Sequence, residues 1–324
     1  MEGTNNEKRL TIKRYNAEFK SVWDDLISKS ANGNFLFNRS FMDYHQDKFE
    51  DFSHLIWNGG ELTAVFVAGM SRNRQNDEVL VAHPGLTCGG LITLGNLKYS
   101  VLEEVYRLLL EEYKKMGVTS LAVKLVPRVF CRHPSDADLF FFYKNSFHLS
   151  NRELNTVIDL TNPLQISRGR KSQVRKAIKN GVIIEMTEDY APFWQVLTDN
   201  LQQTHKIKPV HTLEEIQLLY QKNPDNIKLY VAKVDNRVVA GVVTFSDLRQ
   251  GYVHTQYISN SEEGKLIGAV DAVLMHVVQE AQVSYSRFSF GISTVKGNVN
   301  YGLLNHKEGY STEAEIIDTY EKIF

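Results

Sequence analysis

Residues able to do chemistry gather in the last third of this chain. In GYVHTQYIS (251–259), His254 and Tyr257 stand three apart in an apolar run. Strand alternation puts His254, Gln256 and Ile258 on one face and Tyr257 on the other. NSEEGKLIG follows, with Glu263, Gly264, Lys265 and Gly268 leading into a long apolar helix. A glycine-bearing loop at a helix start leaves backbone N–H groups free, and the helix dipole favours an anion there. Such a loop can hold a pyrophosphate, although glycine before a helix is also ordinary punctuation. Farther on, NYGLLNHKEGY carries Tyr301, Asn305 and Glu308 on a short helix. Glu308 would serve as a base if desolvated; in a surface ion pair it would do little.

Other candidates lie outside that stretch. His205 and His211 flank Lys206, Lys208 and Pro209. They read as a base or an acceptor contact, because histidine titrates near neutral pH, or as loop histidines closing a helix. Asp271, in GAVDAVLM, needs a partner or a function among its apolar neighbours. SRGRKSQVRKAIKNG (167–181) reads as a basic helix with Val174 and Ile178 facing inward, and its Arg168, Arg170, Lys171, Arg175, Lys176 and Lys179 suit a diphosphate or tRNA by charge. A solvated helix face explains the same run. In the first half, Asn38, Arg39, His45, His83, Lys124, Arg128 and His133 are candidates for holding an acceptor, with ordinary surface as their alternative.

These residues must be positioned by a chain of 324 residues with 43% hydrophobic content and a formal net charge of −1. That length suits two domains of about 150 residues. The charge supplies no global attraction to nucleic acid or an anionic membrane, so any such contact must be local. Cys88 and Cys131 lie far apart without CxxC spacing, which points to free thiols and no metal site. The polar N-terminus lacks a signal core, and no apolar run approaches the roughly 20 residues of a membrane span. A cytoplasmic protein is expected.

A repeated order of elements organises the chain. The first half has a helix at 19–30, a hairpin 54–58/61–70 turning at Gly59-Gly60, a strand over 78–91, a helix at 98–117 and a strand at 119–127. The second has helices at 192–205 and 212–223, a hairpin over 227–247 turning at Asp235-Asn236, a strand at 251–259, a helix at 266–281 and a strand at 287–294. A short helix and a last pair of strands follow. ELTAVFVAG aligns with RVVAGVVTF at an offset of about 176 residues. An antiparallel hairpin feeding a parallel helix crossover makes a mixed sheet. Two homologous domains, 1–160 and 161–324, are expected.

The order strand, glycine-bearing loop, helix, strand, asparagine-containing loop, short helix and Gly309-Tyr310 resembles a GNAT-superfamily acyltransferase domain. Two such domains look like the Fem-type (FemAB-like) peptidoglycan aminoacyl transferases. They look still more like bacterial tandem-GNAT proteins associated with surface-polysaccharide synthesis, through FLFNRSFMDYH (35–45), HPGLTCGG (83–90), VKLVPRVFCRHPSDAD (123–138), KPVHTLEEI (208–216), HTQYIS (254–259) and FGISTVKGNVNYGLLNHKE (290–308). The resemblance implies an α/β fold of two tandem GNAT-like domains packed around a central cleft, with the C-terminal one binding the donor. The acyl donor would lie between splayed strands 252–259 and 287–294, on Tyr257, Ile258 and Ser259, with its pyrophosphate on Glu263, Gly264, Lys265 and Gly268. His211, Glu308, Tyr301 and His254 would be the catalytic candidates. Asn38, Arg39, His83, Lys124, His133, His205, Arg170 and Arg175 would contact substrate. Acetyl-CoA or another acyl-CoA would be the donor and an aminosugar on a nucleotide or lipid diphosphate the acceptor. Two departures leave room for an aminoacyl-tRNA donor: the loop lacks a full glycine–basic signature, and Asn305 stands where many GNAT domains have tyrosine, with Tyr301 one turn away. A degenerate, non-catalytic binding module is the third possibility.

Overall fold

The computed structural model describes residues 10–45, 48–72, 78–82, 85–295, 297–310 and 312–324. The chain forms two compact units. The first runs to Arg152 and takes back Ile316–Phe324, and the second is Glu153–Glu315.

The first unit contains β1 (Leu10–Arg14), α1 (Lys20–Lys29), α2 (Arg39–Met42), β2 (His54–Asn58), β3 (Glu61–Val67), β4 (Gly69–Arg72), β5 (Glu78–Val81), β6 (Gly90–Thr93), α3 (Tyr99–Lys115), β7 (Ser120–Lys124), α4 (Ala137–Lys144) and the start of β8 (His148–Asp159). The β2–β3 hairpin turns at Gly59 and Gly60, both at positive φ, as a tight turn requires. One sheet has the order β1-β2-β3-β6. In the other, β4 pairs antiparallel with β5, and β5 runs parallel to β7 through Leu80↔Leu121 and Val81↔Ala122. α3 is the crossover between them. It buries Leu102, Val105, Tyr106, Leu109 and Tyr113 at helical spacing. The single strand expected over 78–91 is two short ones, with Gly85 at left-handed φ between them and Gly90 at left-handed φ opening the second. α4, which the sequence reading missed, brings Phe141 onto Tyr106, ring centroids 4.6 Å apart.

The second unit continues β8 and adds α5 (Arg168–Lys179), β9 (Ile183–Thr187), α6 (Ala191–His205), α7 (Leu213–Lys222), β10 (Ile227–Val234), β11 (Arg237–Asp247), β12 (Tyr252–Asn260), α8 (Glu262–Ile267), α9 (Ala269–Ser284), β13 (Arg287–Ile292), β14 (Thr294–Val295), β15 (Asn298–Val299), α10 (Tyr301–Glu308) and the start of β16 (Glu313–Ile323). Its sheet has the order β8-β13-β12-β11-β10-β9. The β10–β11 turn has Asp235 and Asn236 at φ 48° and 61°, which suits a short polar pair. α7 begins with a capping box of Thr212 and Glu215. Val273, Val278, Phe288 and Tyr310 sit in the core. The helix expected at 266–281 is two, broken by Gly268 at φ +78°. Instead of a last pair of strands, one long strand, β16, follows α10, and its closing residues pair with β7 in the first unit. On α5 the buried position is Ala177, whereas Ile178 is 66% exposed and not inward-facing as expected.

Candidate functional site

β12 and β13 run parallel for three residue pairs, Tyr252↔Arg287, Val253↔Phe288 and His254↔Ser289, and then part. β12 continues to Asn260. β13 slips its register on β8 between Ser289 and Ile292, with Gly291 at φ +74°. A bulge there re-aims the strand and unpairs its groups. The separation expected of these two strands is therefore present, with its apex at His254 and Ser289.

Lys307, a residue that the sequence reading passed over, stands at this apex. It projects from α10, is 3% exposed, and donates from Nζ to Gly291 O at 2.9 Å and Ile292 O at 2.8 Å. An ammonium has three donors, so two bonds leave one for a ligand. Burial lowers its pKa to about 7. Its spacing three residues after Leu304, the other buried position of α10, could have hinted at this, and the flanking His306 and Glu308 hide it.

His254 is half-buried, with Nδ1 3.0 Å from Ser289 Oγ. Ser289 Oγ donates to Asn155 Oδ1 and accepts from Gly291 N. Because the serine proton is committed to Asn155, the network places the histidine proton on Nδ1. Burial, then the nearby Lys307 charge, pushes His254 down to about 3. It stays neutral at neutral pH and is too weak a base to take an amine proton.

The proposed phosphate grip fares differently. Ser261 caps α8 by accepting from Gly264 N, and Glu262 and Glu263 occupy that first turn. Glu263 pairs with Arg237, and Lys265 with Glu262. Gly264 is pressed on β11: a Cβ there would lie 2.3 Å from Val239 O. At Gly268 a Cβ would lie 2.7 Å from Gln173 O, because α5 packs against the start of α9. The first turn of α9 holds its own anion, Asp271. Its Oδ1 takes Arg170 at 2.6 Å and Tyr310 OH at 2.8 Å, with His306 Nε2 at 3.3 Å. Burial pushes this carboxyl up, but His306, Tyr310 and Arg170 together hold it below the usual range. Both helix starts thus have the chain's own carboxylates in their first turns, which disfavours a further anion there. Arg170 is also the residue against which Gly309 packs.

A second polar pair lies on the β12 face toward α6. Tyr257 OH is 2.6 Å from His211 Nδ1 and accepts from His211 N at 3.3 Å, under the edge of Trp194. Burial pushes Tyr257 up to about 12. Nearby, Asn200 donates to the buried Ser259 Oγ at 3.1 Å, and Ile258 is half-buried. Tyr301 is 69% exposed, and Glu308 and Asn305 are also at the surface. No side-chain hydrogen bond among the described residues ties any of the three to His254, Ser289 or Lys307. Arg175 is exposed on α5. His205 ends α6, with its side chain outside the described residues.

In the first unit, Arg39 is buried and committed. Its guanidinium meets Asp51 at 2.5 Å and Asp43 at 3.0 Å and lies over Tyr15, 3.6 Å from the ring centroid. Arg39 therefore knits the unit together and is unavailable for the substrate contact expected of it. Asn38 is half-buried before α2, Lys124 ends β7, and His133 is exposed. Arg128 pairs with Asp136. His83, and the side chain of His45, lie outside the described residues. Among the described residues, no helix is long and apolar enough to cross a membrane.

Neither a protein-family model nor a curated protein matches the chain. Solved structures do. FemX shares 11% identity with a TM-score of 0.70, over 97% of this chain and 97% of that one. L-PGS from Bacillus licheniformis shares 12% identity with a TM-score of 0.60, over 95% and 92%. A tandem GNAT protein from the clavulanic acid biosynthesis pathway shares 9% identity with a TM-score of 0.53, over 97% and 98%. With its mixed α/β units and two parallel strands that part beside a crossover helix, the chain has the tandem GNAT/Fem-like fold.

Proposed function

We propose that the chain is an acyltransferase that moves an acyl group to an amine where β12 and β13 part, and that the acyl group arrives as an aminoacyl ester on tRNA. The observation that carries this is Lys307, a desolvated ammonium fixed at the apex with one N–H to spare. In ester aminolysis the amine nitrogen bonds to the acyl carbon, the carbonyl oxygen gains negative charge, and the C–O bond then breaks. A preorganised cation in a dry slot stabilises that oxyanion. An acid titrating near 7 can also give its proton to the leaving ribose oxygen and regain one from the amine nitrogen. The products, an amide and a free hydroxyl, then balance. His254 and Ser289 support the apex, and the His211–Tyr257 pair is assigned to the acceptor side of β12.

The aminoacyl-tRNA donor is favoured by the carboxylates and packing at the expected phosphate grip. Acetyl-CoA, with an aminosugar acceptor, is the other expectation, and it depends on Glu263, Gly264, Lys265 and Gly268. Carboxylates and packed backbone occupy that place. α5 also presents Arg168, Lys171, Arg175, Lys176 and Lys179 on its exposed side, where a phosphate backbone gains by releasing counterions.

The test uses labelled aminoacyl-tRNA and labelled acetyl-CoA, each offered to a lysine-containing peptide and to glucosamine. Transfer from aminoacyl-tRNA, abolished by ribonuclease and reduced roughly 100-fold or more by Lys307→Met, is expected. Ribonuclease-resistant transfer from acetyl-CoA would overturn the donor assignment. Undiminished transfer by the Lys307→Met enzyme would overturn the site.

A further inference from the structure

The first unit holds a cavity of about 130 Å³ to which the transfer chemistry assigns no role. It lies where the parallel pair β5–β7 gives out. Ala82 N still bonds Ala122 O, and Gly89 N still bonds Lys124 O. Beyond them, Leu91 and Thr93 of β6, Leu125 after β7, Asn96 and Leu97 before α3 and the first turn of α4 surround open space.

The position is the first unit's counterpart of the parting of β12 and β13, yet its chemistry differs. Asn32 closes the free edge of β6: Nδ2 donates to Leu91 O at 2.9 Å and Oδ1 accepts from Thr93 N at 3.0 Å. Ala31 N takes Thr93 O at 2.8 Å. An extended, amide-bearing donor arm finds no strand edge to pair with. Asp136, Asp138 and Asp318 line the same space with Arg128, so carboxylates outnumber the cation that a phosphate would meet there.

Two of those carboxylates are matched. Asp136 takes Arg128 at 2.7 Å, and Asp318 takes Arg152 at 2.7 and 2.8 Å. Asp138 is not. It is half-buried in the first turn of α4, where the hydroxyl of the fully buried Tyr106 donates to Oδ1. Among the described residues no lysine, arginine or histidine forms an ion pair with it. Burial raises its pKa, with Tyr106 and the backbone offsetting part of the rise. A carboxylate withdrawn from water with one neutral donor and no counter-charge is under-compensated. A cation entering the cavity would supply what it lacks.

We infer that this cavity is a binding site for an ammonium group on a short aliphatic chain, with Asp138 as its counter-charge and Leu91, Leu97 and Leu125 around the chain. An engineered apolar cavity of roughly 150 Å³ takes a benzene, so the space suits a chain of about six heavy atoms. The site is independent of the second unit's transfer chemistry and of which donor that chemistry uses.

Titration calorimetry of the whole chain with n-pentylamine, n-pentanol and pentanoate tests it without any transfer assay. Pentylamine should bind roughly tenfold or more tighter than pentanol, the difference expected of a charged hydrogen bond, and pentanoate should not bind. Asp138→Asn keeps an acceptor for Tyr106 and should abolish the preference for the amine while the near-UV circular dichroism stays unchanged. Equal binding of alcohol and amine, or no amine binding at about 10 mM, would overturn the inference with the natural chain alone. So would an Asp138→Asn protein that keeps the preference.

Discussion

Replacing Lys307 by methionine should change the way stability depends on pH, in a direction and by an amount that the burial fixes. The ordinary lysine pKa of 10.5 falls to about 7 in the folded chain. Below about 7 the group is charged in both states, and the folded state bears the full cost of burying it, on the order of 5 kcal/mol. Between about 7 and 10.5 the unfolded chain binds more protons than the folded one, so stability rises with pH. Above 10.5 both forms are neutral and the cost is gone. Methionine removes this term and leaves Gly291 O and Ile292 O without the donor that Lys307 supplied. Gly291 O keeps Thr156 Oγ1 at 3.4 Å, so the loss falls mainly on Ile292 O, where it costs roughly 1–3 kcal/mol, and it does not vary with pH. Urea unfolding of both proteins should therefore give a stability difference, natural minus variant, that climbs by about 1.4 kcal/mol per pH unit from about pH 7.5 to about 9.5. The total over that window is roughly 2.7 kcal/mol. A difference that stays flat across the window would mean that Lys307 keeps its charge at no cost, and the acid proposed for the transfer step would be lost with it.

Other outcomes follow from the same contacts. Gly268→Ala should destabilise the chain by at least about 1–2 kcal/mol, since a Cβ at φ +78° also meets Gln173 O. Its affinity for CoA, measured by calorimetry, should match that of the natural chain. Tyr257→Phe removes a hydroxyl that binds both Nδ1 and the backbone N–H of His211; it should cost about 1–2 kcal/mol in urea unfolding and raise the KM for the acceptor more than it lowers kcat. Glu308→Gln, at an exposed position, should leave the rate of transfer and its pH profile unchanged. Reversing Lys171, Arg175 and Lys179 to glutamate should weaken tRNA retention on filters and flatten its salt dependence by roughly two to three units of slope.

Much of the fold could be read from the chain because its signals are local. Gly59-Gly60 and Asp235-Asn236 mark hairpins by the φ they permit, and the spacing of Leu102, Val105, Tyr106 and Leu109 marks α3 by its face. What escaped depends on partners distant in sequence. The break at Gly268 was hidden because α9 is apolar on both sides of its first turn, and only Gln173, far upstream, explains the glycine. The same distance hid the fate of Arg39, whose carboxylate Asp51 lies beyond a short helix, and of Asp271, whose partners Arg170 and Tyr310 come from opposite ends of the second unit. Parting strands were anticipated from the resemblance to GNAT domains. The lysine at their apex was not, because nothing in NHKEGY tells an exposed Lys307 from one buried on two carbonyls.

The closed grip and the buried lysine fit one physical account. A CoA-type site spends a helix start on phosphates and leaves the acyl carbonyl to backbone amides. Here the first turn of α9 already carries Asp271, whose charge is met by Arg170 of α5, and that weakens the pull of the helix start on a second anion. Positive charge has moved elsewhere: to Lys307 at the reacting end, where low dielectric magnifies it, and to the outer side of α5, where water screens it and only a polyanion gathers enough contacts to bind. On the proposed reading, a donor with one diphosphate and a long neutral arm gains less from that arrangement. A donor whose phosphates extend well beyond its ester gains at both places. This ties the two readings together: the inner side of α5 packs on the start of α9 through Gln173 and Arg170, and its remaining cations face outward.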